Sequence, residues 1–239
     1  MSRDANVDDL VLRKYKDYYQ DGPSEWRRLG AVDKAANVVA LCAAVPHTSI
    51  LEIGAGDGAI LSRLSELGFG ERLYAIELSA SGVEVIERRA IPRLVECRRF
   101  DGAHVPYGDA TFDVAILSHV VEHLEHPRQL IHEAARVAHH VFIEVPLEDM
   151  SRHSRDYRED AVGHINFYSC RTIRWLVQSC GLRVVRQVTT NPSKDVYAHA
   201  AGRKGLIQYF VKQALLTCAP GLATNHFCYH EALLATRER

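Results

Sequence analysis

The sequence lacks long apolar runs, an excess of charge of either sign and closely spaced cysteines. Each absence removes a class of protein. No stretch of the 239 residues approaches the roughly 20 apolar residues that carry a helix across a bilayer. Lysine and arginine number 29 against 30 aspartate and glutamate, a formal charge of -1. The basic excess that suits nucleic acid or anionic membrane surfaces is therefore missing. The six cysteines (Cys42, Cys97, Cys170, Cys180, Cys218 and Cys228) show no C-x-x-C spacing and read as small core residues of a reducing compartment. The opening MSRDANVDDL is acidic and carries no apolar segment, so a secretory leader is not expected and a cytoplasmic location is. What remains is ordinary globular usage, 47% hydrophobic and 25% charged, in a chain long enough to bury its core without a disulfide or metal staple.

The order of elements gives the fold class. Val7, Leu10, Val11, Tyr15 and Tyr18 share one face of a helix expected over 6–19. After the break at Gly22-Pro23, Ser24 is placed to cap a second helix over 25–44. Strands are expected at 48–53, 73–76, 94–100, 112–117, 141–145, 182–188 and 232–236. Helices are expected at 59–67, 82–90, 128–137, 171–180 and 206–216. This alternation implies an α/β, Rossmann-like, seven-stranded and mostly parallel sheet flanked by helices. One domain is expected, with lid helices over 1–45, a core over 46–192, a helical insertion over 193–225 before the last strand, and that strand within 226–239. In such sheets ligands bind outside the carboxyl ends of the strands, where the strand order reverses.

The run Leu51-Glu52-Ile53-Gly54-Ala55-Gly56-Asp57-Gly58 joins a strand to a helix through alternate glycines. Glycine permits the tight turn and lets a ligand approach the backbone, while the helix start offers free N–H groups. Gly54, Gly56 and Ala59 also satisfy the dinucleotide pattern G-x-G-x-x-G/A, and Glu77 stands where a ribose-binding acid belongs in either case. The flanking acids separate the two readings. Glu52 and Asp57 disfavour an approaching diphosphate and suit a ligand with an ammonium and a sulfonium, which points to S-adenosyl-L-methionine. A nicotinamide-dependent oxidoreductase and a non-catalytic cofactor-binding subunit stand as the alternatives.

LEIGAGDG resembles the first motif of class I S-adenosylmethionine-dependent methyltransferases, in particular small-molecule enzymes. YAIELS, ending at Ser79, is similar to the second motif, whose acid (here Glu77) takes both ribose hydroxyls, with Leu78 covering the adenine. Phe100-Asp101-Gly102 is similar to the adenine contact, with Asp101 accepting from the exocyclic amine. PYGDATFDVAILSHVVEHLEHP, from Pro106, is similar to the fourth motif and places Ser118 and His119 at the cofactor. GHINFYS followed by a helix and CGLRVV continues the match, which covers about residues 36–190.

Methyl transfer to a hydroxyl needs a nearby base, and His119 and His164 are the candidates. His119-Val-Val-Glu122-His123 matches a zinc-protease spacing, but it leaves a strand rather than lying on a helix, and no metal is expected there. His123 and His126 read as local structure, and Asn191-Pro192 as a turn. Arg152, His153, Arg155, Tyr157 and Arg158, in a long polar loop, suit an anionic acceptor. Tyr15, Tyr18 and Tyr19 suit a lid. The expected acceptor is a small polar molecule, anionic or sugar-containing, methylated on a hydroxyl or amine. A natural-product nitrogen or a protein side chain is the alternative. A monomer or homodimer without nucleic-acid or membrane partners is expected.

Overall fold

The computed structural model describes Tyr19, residues 24–151, Asp156 and residues 163–238. The expected first helix with Tyr15 and Tyr18, the break at Gly22-Pro23, and Arg152, His153, Arg155, Tyr157 and Arg158 lie outside the described residues.

Seven strands form one sheet: β1 (Ser49–Ile53), β2 (Arg72–Glu77), β3 (Leu94–Arg99), β4 (Phe112–Ser118), β5 (Ala138–Pro146), β6 (Leu182–Thr190) and β7 (His230–Arg237). Their order is β3-β2-β1-β4-β5-β7-β6. All neighbours are parallel except β7, which runs antiparallel between β5 and β6. The helices are α1 (Glu25–Cys42), α2 (Ala59–Glu66), α3 (Ala80–Arg89), α4 (Pro127–Val137), α5 (Cys170–Ser179), α6 (Lys194–Cys218) and α7 (Pro220–His226).

Both faces of the sheet are covered, which is why β1 and β4 read as nearly unbroken apolar runs rather than alternating ones. Leu51, Ile53, Leu117 and Ile143 pack with Leu130 and Ile131 of α4 and Ile173 and Val177 of α5. Ile50, Val114, Ile116 and Phe142 pack on the opposite side with Ala35 and Val38 of α1 and Leu61 and Leu64 of α2. Ser24 caps α1 as expected, accepting from the Arg27 N–H at 3.2 Å. The insertion is more helical than its periodicity suggests. It forms α6, kinked at Ala201 and Gly202, and the short α7.

Two topological facts place the site. The strand order reverses beside β1, opening a crevice at the carboxyl ends of β1 and β4. Because β7 is antiparallel, its first residue lies at that same edge: His230 pairs with Pro146 and Ala232 with Glu144.

Candidate active site

A cavity of about 470 Å³ lies at the carboxyl ends of the strands. Its wall contains Glu52, Gly54, Gly56, Asp57, Glu77, Leu78, Gly102, Ser118 and His119, together with His164. Gly58 and Asp101 stand outside that wall. A Cβ at Gly58 would meet Ile86 and Ile91 at 3.0 Å, so this glycine serves the packing of α2 on α3. Asp101 Oδ1 accepts the N–H groups of Ala103 and His104 at 2.9 and 2.7 Å and closes the turn after β3. Burial alone would raise its carboxyl; those donors outweigh it and lower it.

At one end of the cavity the turn lacks side chains at 54 and 56 for a reason the geometry states. Gly54 and Gly56 have φ of 75° and 59°. An added Cβ would sit 2.8 Å from Val120 Cγ2 or 2.9 Å from the Tyr19 hydroxyl. Tyr19, expected as a lid residue, is buried on this wall. Glu77 Oε2 accepts from the Gly56 N–H at 2.8 Å and Oε1 from the Ser79 N–H at 2.9 Å. Burial raises the Glu77 carboxyl, and the Ser79 and Gly56 N–H groups oppose it.

The acids beside the turn act differently from the sequence reading. Asp57 is ion-paired with Arg27 of α1 at 3.1 Å and Arg89 of α3 at 3.0 Å. Burial pushes the Glu52 carboxyl up to about 8, so it is largely uncharged near neutrality. The turn therefore lacks the strong negative field expected of Glu52 and Asp57. Two arginines distant in sequence supply the correction.

The other end is rich in histidine. His119 follows β4 with φ +57°, its N–H bonded to the Glu144 carbonyl at 2.8 Å. Its Nδ1 stands 3.3 Å from Glu122 Oε1 and its Nε2 3.9 Å from Glu144 Oε1. Burial, then the charges of Lys34 and His230, hold this imidazole well below its ordinary pKa, so it is neutral. His164 Nδ1 lies 2.7 Å from Glu148 Oε2. His123 Nδ1 lies 3.1 Å from the Gly163 carbonyl, and the residue also stands on the cavity wall.

Sequence reasoning missed His230, Glu144, Asn37 and Lys34. Glu144 is fully buried and accepts at Oε1 from Asn37 Nδ2 at 3.2 Å and from His230 Nδ1 at 3.1 Å, and at Oε2 from the Ser118 hydroxyl at 3.4 Å. Burial would raise it; the His230 hydrogen bond and nearby positive charge prevail and bring it to about 2. The signal available in the sequence was a single acid inside the apolar strand 141–145.

A Rossmann-like sheet with a glycine turn after β1 and an acid ending β2 defines a nucleoside-binding α/β enzyme. Residues 24–187 match the methyltransferase-domain family, and the chain belongs to it. An uncharacterised protein of Methanocaldococcus jannaschii is 22% identical over 193 residues, covering 75% of this chain and 84% of that protein. Among solved structures, the cyclase SpnF superposes with a TM-score of 0.66 at 15% identity, over 95% of this chain and 92% of its own. The geranyl diphosphate C-methyltransferase of Streptomyces coelicolor, solved with S-adenosyl-L-homocysteine, gives 0.60 at 15% identity, over 87% and 75%. The protein is an S-adenosylmethionine-dependent methyltransferase. The glycines at 54 and 56 and the two-oxygen acceptor at Glu77 suit that cofactor. Among the described residues no helix is long and apolar enough to cross a membrane.

Proposed function

We propose that the enzyme methylates a hydroxyl or amine of a small polar acceptor, anionic or sugar-containing. One observation carries this reading. A single cavity runs from the glycine turn and Glu77 to a polar end walled by His119, His164, His230 and Lys34. Glu77 takes the ribose hydroxyls, while Gly54 and Gly56 admit the cofactor against the backbone. Leu78 and Gly102 border the base, and Ser118 and His119 border the transfer end. Asp57 contributes by fixing the turn through Arg27 and Arg89. Gly58 and Asp101 shape their own turns.

The cofactor supplies an activated methyl group. The chain's residues hold the acceptor in line with it, and such alignment is worth roughly 7–11 kcal/mol of barrier. His164, held by Glu148, takes the hydroxyl proton. His119 borders the acceptor on the cavity wall. Lys34 on α1 supplies positive charge for an anionic group of the acceptor.

The test is a panel of hydroxy acids, sugar acids, neutral sugars and amines incubated with isotopically labelled S-adenosylmethionine. Turnover of the hydroxy or sugar acids, lost in His164→Ala, supports the reading. Turnover confined to bulky apolar acceptors contradicts it.

A further inference from the structure

His119, Glu144 and His230 come from three separate places: the turn after β4, the middle of β5 and the first residue of β7. Each can offer one ligand atom, and these atoms lie within 4.8 Å of one another. Glu144 Oε1 is the centre, 3.1 Å from His230 Nδ1 and 3.9 Å from His119 Nε2. His119 Nε2 is buried and has no hydrogen-bond partner. A ring nitrogen without a hydrogen-bond partner in a buried wall loses its hydration and gains nothing in return.

The opposite side of the same ring supplies the second observation. Glu122 is fully buried, and neither of its carboxylate oxygens has a hydrogen-bond partner. Its Oε1 is 3.3 Å from His119 Nδ1. The approach does not meet hydrogen-bond geometry, but it places a buried, unpartnered carboxylate beside one ring nitrogen and leaves the other nitrogen unpartnered; in a metal-ligating histidine an outer carboxylate so placed takes the ring N–H and orients the ligand. His119 is held in this orientation at φ +57°, a conformation that is costly for a residue with a side chain and is kept where the surroundings demand it.

We infer that His119, Glu144 and His230 bind a first-row divalent transition ion such as Zn²⁺, which holds the acceptor oxygen. Two imidazoles and one carboxylate suit such an ion, whereas Mg²⁺ and Ca²⁺ prefer oxygen ligands. The ion takes the place of the hydrogen bond between His230 Nδ1 and Glu144 Oε1. Three protein ligands leave a four-coordinate ion one open position, and His119 and His230 also belong to the cavity wall. The His119-Val-Val-Glu122-His123 spacing does not disclose this site, because only His119 of that motif is a ligand.

The inference deepens the proposed function and rests on it for the role of the ion. A hydroxyl bound to the ion is acidified. Its proton passes to His164 and then to water. The oxygen forms its bond to the methyl carbon as the carbon–sulfur bond breaks, and sulfur keeps the electron pair as a neutral thioether.

The test uses untagged full-length protein freed of metal by a chelator, then titrated with Co²⁺ and afterwards Zn²⁺, without cofactor. One equivalent of Co²⁺ should give visible d–d absorption that one equivalent of Zn²⁺ removes. His230→Ala and Glu144→Gln should each weaken binding by at least about 100-fold, and Glu122→Gln by about 10–100-fold. S-adenosylhomocysteine affinity should change less than about threefold in His230→Ala, which shows that the fold persists. His230→Gln serves where His230→Ala is insoluble. Wild-type protein that takes up no stoichiometric ion overturns the inference, as does undiminished binding by the His230 variants. Protein that binds the ion but methylates none of the acids overturns the functional reading and leaves the ion site standing.

Discussion

The two ends of the cavity are built by different means. The cofactor end is a contiguous piece of chain: a strand, a glycine turn and a helix start, with Glu77 from the neighbouring strand. The acceptor end is assembled from residues far apart, with Lys34 from α1, His119 after β4 and His230 from β7 on the wall, and Glu144 of β5 and Asn37 of α1 buried behind them. Their buried acids show the same contrast. Glu52 is pushed up to about 8 because little compensates its burial. Glu144 is brought to about 2 because a histidine and nearby cations face it. At one end the buried Glu52 carboxyl is held largely uncharged, and the other keeps an ionised Glu144 under a group of histidines.

The largest expected effect separates the ends by function. His164→Ala should lower turnover by about 10²–10⁴-fold, the range for losing a general base, while S-adenosylhomocysteine binding by calorimetry stays within about threefold. Equal losses of both would dissolve the division between the ends. His119→Ala should also lower turnover, and full activity in both variants would remove the histidines from the chemistry.

Next comes pH. Glu52 in the folded protein keeps a proton that the unfolded chain releases near the ordinary value of 4.5. The folded state thus binds more protons between about 4.5 and 8, and stability falls as pH rises through that window. Glu52→Gln should remove this slope and raise stability at pH 8 by about 3–5 kcal/mol, an upper range from the size of the shift. Glu144 has the opposite sign. Its contribution is present above 4.5 and is lost as pH falls towards 2. Denaturant unfolding at pH 5 and pH 8 checks the first and at pH 3 and pH 5 the second; an unchanged slope in Glu52→Gln would contradict the first.

Smaller effects belong to the turn. Gly54→Ala places a Cβ 2.8 Å from Val120 Cγ2 at φ +75°, and should cost about 2–4 kcal/mol of stability from backbone strain and crowding together. A melting temperature equal to that of wild type would mean the turn relaxes freely. Glu77→Ala should weaken cofactor affinity by about 1–3 kcal/mol, and unchanged affinity in calorimetry would remove Glu77 from the ribose.

The sheet and the cofactor end were legible because their signals are local. Apolar runs bounded by Gly and Pro mark β1, β2 and β4, and the glycine turn with Glu77 lies within 26 residues, Glu52 to Glu77. The field around the turn was misjudged because Arg27 and Arg89, which neutralise Asp57, lie about 30 residues away on two helices. The acceptor end was half hidden. His119 stood out at a strand end, whereas His230 reaches the site only because β7 inserts antiparallel beside β5, and a strand read as starting at Ala232 omits it. Glu144 was hidden in an apolar run, and its partner Asn37 sits mid-helix with no motif around it.

The central claim is that one cavity joins a nucleoside-binding turn to a histidine-walled acceptor end. A crystal structure with S-adenosylhomocysteine bound tests it most directly. The account predicts both ribose hydroxyls on Glu77 and the sulfur directed at the space between His119, His164 and His230. A nucleoside seated on the turn with its sulfur facing away from those histidines would contradict it.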